Sequence, residues 1–410
     1  MTRVVLLGGG YVTLHAYKAL VRHAGRAVRR GDLELVVISA DDSHSFHGFT
    51  GEALAGLLPY ERTRERLDGL MPHARVVLGR AVGIDADGRV VHYEPVGGPG
   101  TETIGFDALV VGTGGREPSH TVPGLAEHGF TLRSPGDIQR LVTRVAAAAA
   151  SDIGRPHRVV VAGGGLAGVE LAAAVADRGG LRIRVDLVHS GEAVLPDLRA
   201  EQPRLARRAE AELDRLGVHV RTGTRIVSVA HDHVLLSDGS RLPADTVVAT
   251  IGQRPVRVPG LDERRDPRGR LVTRPDLSVV DGVWAAGDAA CVLHPGTGLP
   301  VPANALWAIK AGARAGSNVA RHLAGRPTRA FGYRGLGQAA SFGLGRSVSE
   351  LYGVPFTGWV AWVLRMAFFL RFMPSRRTAL RVVGDLVRRD GDPRPAAPAP
   401  ETVSVVEVSA

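Results

Sequence analysis

VVVAGGGLAG, residues 159–168, is the stretch that decides the fold. A β-branched run enters a glycine turn and leaves it into VELAAA (169–174), a helix-forming pattern. Gly163, Gly165 and Gly168 spell G-x-G-x-x-G. The first glycine permits a tight turn, and the second lets backbone approach a pyrophosphate. The third lets strand and helix pack closely, so that the helix N-terminus meets phosphate charge. Working outward, VVLLGGGYV (4–12) repeats the pattern with Gly8, Gly9 and Gly10, but Thr13 stands where the third glycine belongs. That substitution predicts a helix and strand set slightly further apart. FDALVVGTGGR (106–116) and ADTVVATIGQR (244–254) follow in the same order, with Asp107 to Gly114 spaced as Asp245 to Gly252, and Arg116 matching Arg254. Two matched blocks in one order indicate an internal duplication.

The expected fold class is therefore α/β, with two Rossmann-like nucleotide-binding domains, the first interrupted by the second, and an α-helical C-terminal extension. The boundaries expected are 1–120 for the first part of an FAD domain, 121–256 for an NAD(P)H domain, 257–328 for the rest of the FAD domain, 329–390 for the extension and 391–410 for a flexible Pro/Ala tail. A chain of 410 residues, 44% hydrophobic, suits two or three domains with large cores. The net charge of +10 rests on arginines scattered through the chain, with only Lys18 and Lys310 as lysines, so no nucleic-acid partner is expected. A single cysteine, Cys291, excludes a disulfide framework and any CxxC pair, and reads as an inert buried thiol. No signal peptide is read, and no apolar run reaches the roughly 18 residues of a spanning helix. A cytoplasmic body is the expectation. His231-Asp232-His233 reads as a hairpin tip rather than a metal site.

Which domain takes FAD follows from VWAAGDAA (283–290), a buried strand ending in Gly287-Asp288. An aspartate at a strand end accepts hydrogen bonds from a ribityl chain, and Gly287 keeps access open. A helix beginning near Asn304 would aim its positive end at the flavin pyrimidine. The acids expected at the ends of the second strands, where a ribose hydroxyl binds, are displaced in both units. LELVVI (33–38) ends at Ser39, with Asp41 and Asp42 beyond, and IRVDLV (183–188) ends at His189 and Ser190. Loss of the acid leaves NADPH admissible, although Gly168 is the small residue more usual with NADH.

The order of glycine loop, T-x-G block, GGGxxGVEL, second block and AAGD resembles the two-dinucleotide-binding-domain flavoproteins over residues 1–328. The stretch 332–372 (GYRGLGQAASFGLGRSVSELYGVPFTGWVAWVLRMAFFLRF) is similar to the type II NADH:quinone oxidoreductases. That resemblance implies a single-chain, FAD-containing enzyme, monotopic on the inner face of the cell membrane and commonly a homodimer, passing hydride from NAD(P)H to FAD and on to a quinone. HSFHGF (44–49) resembles the family's H-x-F segment beside the flavin, and Glu170 matches a glutamate near the flavin–nicotinamide contact. The family's A-Q-x-A-x-Q segment, which lines its quinone pocket, is here ALWAIKAG (305–312): Leu306 replaces the first glutamine, and Lys310 or Ala311 the second. The acceptor stays open on that account. A soluble NAD(P)H-dependent flavin oxidoreductase and a redox sensor without turnover are the alternatives.

The expected cofactor-binding residues are Gly8, Gly9, Gly10, Tyr11, Ser39, His44, Thr113, Gly114, Gly163, Gly165, Leu166, Gly168, His189, Gly252, Gly287, Asp288 and Ala305, with Glu170 catalytic and no metal ligand. In the extension, Trp359, Trp362, Val363, Met366, Phe369, Leu370 and Met373 share one helical face, and Phe368, Phe372 and Ala361 a second, with Arg365 and Arg371 between. One face suits the protein body or a dimer mate and the other lipid. Beyond Pro374, Ala379, Leu380, Val383, Leu386 and Val387 oppose Arg376, Arg377, Arg381, Arg388 and Arg389, which suits anionic headgroups.

Overall fold

A computed structural model describes residues 1–132, 134–151 and 154–387. Its first sheet grows around β1 (Thr2–Leu7), where Val4, Val5, Leu6 and Leu7 are fully buried. Covered on both faces, such a strand reads as an unbroken apolar run rather than an alternation. The chain leaves it through the glycine loop into α1 (Tyr11–Arg30) and returns as β2 (Leu33–Ser39). The short helix α2 (Thr50–Leu54) follows, then β3 (Ala74–Asp85), β4 (Val90–Pro95), β5 (Glu102–Gly105) and β6 (Ala108–Val111).

The second unit repeats this plan. β7 (Gly129–Thr131), α3 (Pro135–Ala150), β8 (His157–Ala162), α4 (Leu166–Gly179), β9 (Ile183–Val188) and β10 (His219–Arg221) precede a meander of β11 (Ile226–Val229), β12 (His233–Leu236) and β13 (Arg241–Pro243). β14 (Thr246–Ala249) completes a parallel sheet ordered β7-β14-β8-β9-β10. The chain then goes back to the first sheet with β15 (Ser278–Val280) and β16 (Val283–Ala285), giving β15-β16-β6-β1-β2-β3-β4-β5.

The duplication holds atom by atom. Gly8 N–H donates to the Ile38 carbonyl at 2.8 Å, and Gly163 N–H to that of Val188 at 2.8 Å. Asp107 accepts from Arg3 N–H at 2.6 Å, and Asp245 from Arg158 N–H at 2.8 Å. The matched arginines meet, because Arg116 and Arg254 lie opposite each other in a two-stranded antiparallel ribbon that joins the units.

After β16, helix α5 (Ala305–Leu323) lies along α1. A Cβ on Gly312 would be 2.5 Å from the Val12 carbonyl oxygen, and one on Gly316 would be 2.3 Å from that of Ala16, so the crossing requires glycine. The extension opens with an antiparallel sheet, β17 (Ala339–Ser341), β18 (Ser347–Leu351) and β19 (Val354–Thr357). The sequence reading has only helices there, since strands of three to five residues among glycines carry too little alternation to stand out. α6 (Gly358–Phe372) and α7 (Arg376–Val387) follow.

The two faces expected of α6 are redrawn. Ala361, Arg365 and Met366 are buried, whereas Trp359 and Val363 are more than half exposed. Phe372 packs on the main core with Trp362, Phe369 and Leu370. Packing of the helix on β18 decides this, with Ser349 Oγ donating to the Ala361 carbonyl at 3.1 Å. On α7 the exposed apolar residues are Leu380, Val383 and Val387, with Val382 buried. Arg388, Arg389 and the tail at 391–410 lie outside the described residues.

Candidate functional site

Ligands of open α/β sheets sit beyond the carboxyl ends of the strands. Here the ends of β1, β2, β6 and β16 bring the expected FAD set together. Gly8 has φ +99°, a left-handed turn in which a Cβ would also sit 2.5 Å from the Gly112 carbonyl oxygen. Gly9 lies against Ser39, whose hydroxyl donates to the Asp41 carbonyl at 2.7 Å. Thr13 is fully buried and donates to the Leu7 carbonyl at 3.2 Å, so the departure from glycine is accommodated by a hydrogen bond. Thr113 donates to the Val256 carbonyl at 3.1 Å, which holds the end of β6 to the chain leaving the second unit.

At β16 the strand ends in Ala285, and Gly287 and Asp288 form a short 3-10 turn. What a side chain on Gly287 would strike is Val12 of α1, 2.7 Å from its Cβ, at a φ of +65°. Its glycine therefore serves a close packing of turn on helix as well as access. Asn304 caps α5, accepting from Trp307 N–H at 3.0 Å, so Ala305 stands at the helix start beside this turn. His44 is buried against Tyr11, ring centroids 4.9 Å apart, and its Nδ1 donates to the Gly9 carbonyl at 2.9 Å. Burial pushes its pKa down to about 4, so the ring is neutral and Nε2 is an acceptor. That nitrogen has no partner among the described residues.

In the second unit Gly163, Gly165, Leu166, Gly168, His189 and Gly252 gather at the ends of β8, β9 and β14. A Cβ on Gly168 would lie 1.8 Å from the Gly163 carbonyl oxygen, whereas among the described residues nothing beyond its chain neighbours and its own helix backbone comes within 4 Å of one built on Gly165. Gly10 is open in the same way in the first unit. α1 and α4 start at these two glycines, and among the described residues neither helix has a side-chain cap or a first-turn acid. Two long helices with uncapped N–H groups, facing open space over glycine, fit the pyrophosphates of FAD and NAD(P)H. The unpartnered Nε2 of His44 fits a donor on the flavin.

Glu170 does not join the glycine loop. Its carboxylate accepts from Ser341 N–H at 2.8 Å and pairs with Arg365 Nη2 at 3.0 Å. Arg365 also pairs with Glu52 of α2 and donates to the Gly48 carbonyl at 3.2 Å. One buried guanidinium thus ties the first unit, the second and the extension. Burial opposes its charge, and the two carboxylates outweigh that and hold its pKa above the usual value; burial also pushes the Glu170 carboxyl up. Sequence reasoning missed Glu52 and Ser341, and set Arg365 between faces. The available signal was Arg365, an arginine in the middle of an apolar helix whose other charge, Arg371, lies in the last turn, and a mid-helix arginine when buried demands partners.

Leu306 is buried, and Lys310 reaches toward the extension with Nζ 5.7 Å from the Tyr333 ring centre and 5.8 Å from that of Phe372. Cys291 is buried, and burial raises its pKa. His231, Asp232 and His233 do lie at the β11–β12 hairpin tip.

The model of the family described as pyridine nucleotide-disulphide oxidoreductase matches residues 2–312. The chain is similar to the demethylphylloquinone reductase of Synechocystis sp., at 27% identity over 93% of this chain and 94% of that one. It is also similar to the type II NADH:quinone oxidoreductase of Staphylococcus saprophyticus, at 24% identity over 93% and 96%. In fold it is similar to the NDH2 structure from Plasmodium falciparum in complex with NADH, with TM-score 0.82 and 11% identity over 96% of this chain and 99% of that one.

Proposed function

Because the chain belongs to the pyridine nucleotide-disulphide oxidoreductase family, we propose that it is an FAD-dependent NAD(P)H:quinone oxidoreductase working at a membrane surface. The observation that carries this reading is the pair of uncapped glycine-loop helices in duplicated units, joined where Arg116 meets Arg254. In this reading residues 1–120 and 257–328 hold FAD, and 121–256 hold NAD(P)H. With one cysteine in the whole chain, no dithiol can carry the electrons onward. When bound, FAD supplies the two-electron acceptor for hydride from nicotinamide and returns the electrons to a second substrate.

The residues' own work is binding and electrostatics. Gly10 and Gly165 admit the two pyrophosphates to the helix N-termini, and Asp288 accepts from the ribityl hydroxyls. His44 Nε2 accepts from the flavin, and the α5 N-terminus stabilises negative charge. In this reading Glu170, placed by Ser341 N–H and Arg365 where the second unit meets the extension, relays a proton to the reduced acceptor. A quinone acceptor fits the aromatic setting of Lys310, where an ammonium replaces the family's amide. Among the described residues, half of the large hydrophobic side chains that stand exposed fall between Tyr352 and Val387, which supports attachment of the extension to lipid or to a second copy of the chain. Among the described residues no helix is long and apolar enough to cross a membrane, and in this reading the exposed apolar residues of the extension rest on the lipid surface.

Anaerobic stopped-flow mixing of the purified yellow protein with NADH or NADPH should bleach the flavin band, and a short-tailed naphthoquinone should restore it. Bleaching that no quinone reverses, but a soluble non-quinone acceptor does, would shift the reading to a soluble oxidoreductase.

A further inference from the structure

The residues at the end of β9 bear on which nucleotide the second unit takes. In a dinucleotide-binding unit a carboxylate at this place accepts from the ribose 2′-hydroxyl and repels a 2′-phosphate. Here the strand ends at Val188, and His189 and Ser190 follow it. The carboxylate inside the strand, Asp186, is buried and already held by Arg221 Nε at 2.9 Å and Arg184 Nε at 3.6 Å. Glu192 is the acid of the turn that follows, and it is exposed.

The His189 ring is fixed by the glycine loop itself, because Gly164 N–H donates to Nδ1 at 3.2 Å. With Nδ1 accepting, the ring's proton resides on Nε2, so the free edge is a donor where the usual carboxylate is an acceptor. Gly191 keeps that edge clear, since a Cβ there would lie 2.8 Å from Nε2. Backbone bonds bring the segment that carries Arg221 and Arg225 to the same corner. His189 N–H donates to the Arg221 carbonyl at 2.7 Å, Thr224 N–H to that of His189 at 3.2 Å, and Gly223 N–H to that of Gly191 at 2.9 Å. Arg221 and Arg225 are both exposed there. Among the described residues, Arg221 spends only Nε in a hydrogen bond and the Arg225 guanidinium none. Gly168 does not argue for NADH, because its missing side chain is dictated by the Gly163 carbonyl oxygen, which would lie 1.8 Å from a Cβ built there.

We infer that this site selects the 2′-phosphorylated nucleotide, NADPH, the phosphate being received by the His189 Nε2–H, the Ser190 hydroxyl and the arginines of 221–225. The inference rests on the reading of the second unit as the nicotinamide nucleotide site. The test is calorimetric titration of the flavin-loaded full chain with adenosine 2′,5′-bisphosphate and with 5′-AMP, neither of which is redox-active. The bisphosphate should bind at least about tenfold more tightly, with a preference that shrinks as salt rises. His189→Glu should reverse the preference while still binding 5′-AMP, which shows that the variant is folded. Equal or tighter binding of 5′-AMP by the parent, or an unchanged ratio in His189→Glu, would overturn the inference and leave the proposed oxidoreductase standing. Failure of both probes to bind would overturn the nucleotide site itself, and this inference with it.

Discussion

Gly165 and Gly168 lie three residues apart and are glycine for different reasons. Gly165, at φ −76°, could carry a side chain into open space, so only a ligand needs it bare. Gly165→Val should therefore leave the melting temperature unchanged and yet block flavin reduction by NADPH, with dithionite reducing the flavin as before. Gly168→Ala should instead lower stability by roughly 1–3 kcal/mol, because backbone must move to admit the methyl group. Thermal unfolding beside flavin-bleaching rates separates the two. His44 gives a pH prediction. Its folded pKa is depressed by burial to about 4 from 6.5, so its contribution is present above pH 6.5 and lost as pH falls towards 4. Between about pH 7 and about pH 4.5 the parent should lose about 2–3 kcal/mol more of unfolding free energy than His44→Phe does. Parallel urea curves in the two proteins at both pH values would remove this role. The glycines were legible from spacing alone. The orphan nitrogen of His44 was not, since it depends on which backbone carbonyl the ring meets.

α6 is held to the body by a charge cluster within an apolar contact. Phe369 packs edge-on to Phe46 and Phe49 at 6.1 and 5.6 Å, and Arg365 lies 4.4 Å from the Phe369 ring centre. Removing the cation leaves Glu52 and Glu170 facing each other in a buried site. Arg365→Met should cost about 3–5 kcal/mol, whereas Arg365→Met combined with Glu52→Gln and Glu170→Gln should recover most of that loss. Thermal melts of the single and triple variants decide it; a triple variant as unstable as the single one would show that the cluster is not the cause. The helix itself was readable from its composition. Which side faced inward was not, because an arginine counts as polar in any periodicity, and Arg365 falls between the two apolar faces.

At the scale of the whole molecule, the extension covers the junction of the two units and turns an apolar surface outward. Leu380 is 73% exposed and Val387 77%, so neither supports the core. Leu380→Ser with Val387→Ser should leave the melting temperature unchanged and reduce co-sedimentation with anionic liposomes several-fold, since each buried apolar side chain is worth about 1.5–3 kcal/mol. Phe368 and Phe372 would be a poorer test. They stack on each other at 4.8 Å, and Phe372 is part of the body contact. Unchanged sedimentation of the Leu380/Val387 variant, together with a fall in molecular mass in solution, would identify the face as an interface between copies.

Taken alone, the sequence determined that this chain is a duplicated nucleotide-binding α/β protein, because strand, glycine turn and helix are local events written in spacings of a few residues. It determined the return of the chain to the first sheet too, since Gly287-Asp288 closes a strand that follows the complete duplicated pair, and that strand, β16, pairs with β6. Tertiary structure alone decided what joins the units. Arg116 comes just before the second unit and Arg254 at its end, and the two meet in one ribbon. Glu52, Glu170 and Arg365 come from three segments and share one buried charge. Such contacts have no period and no motif. Their energy arises from desolvating charged groups together, and a linear pattern does not record which groups lose water in each other's company.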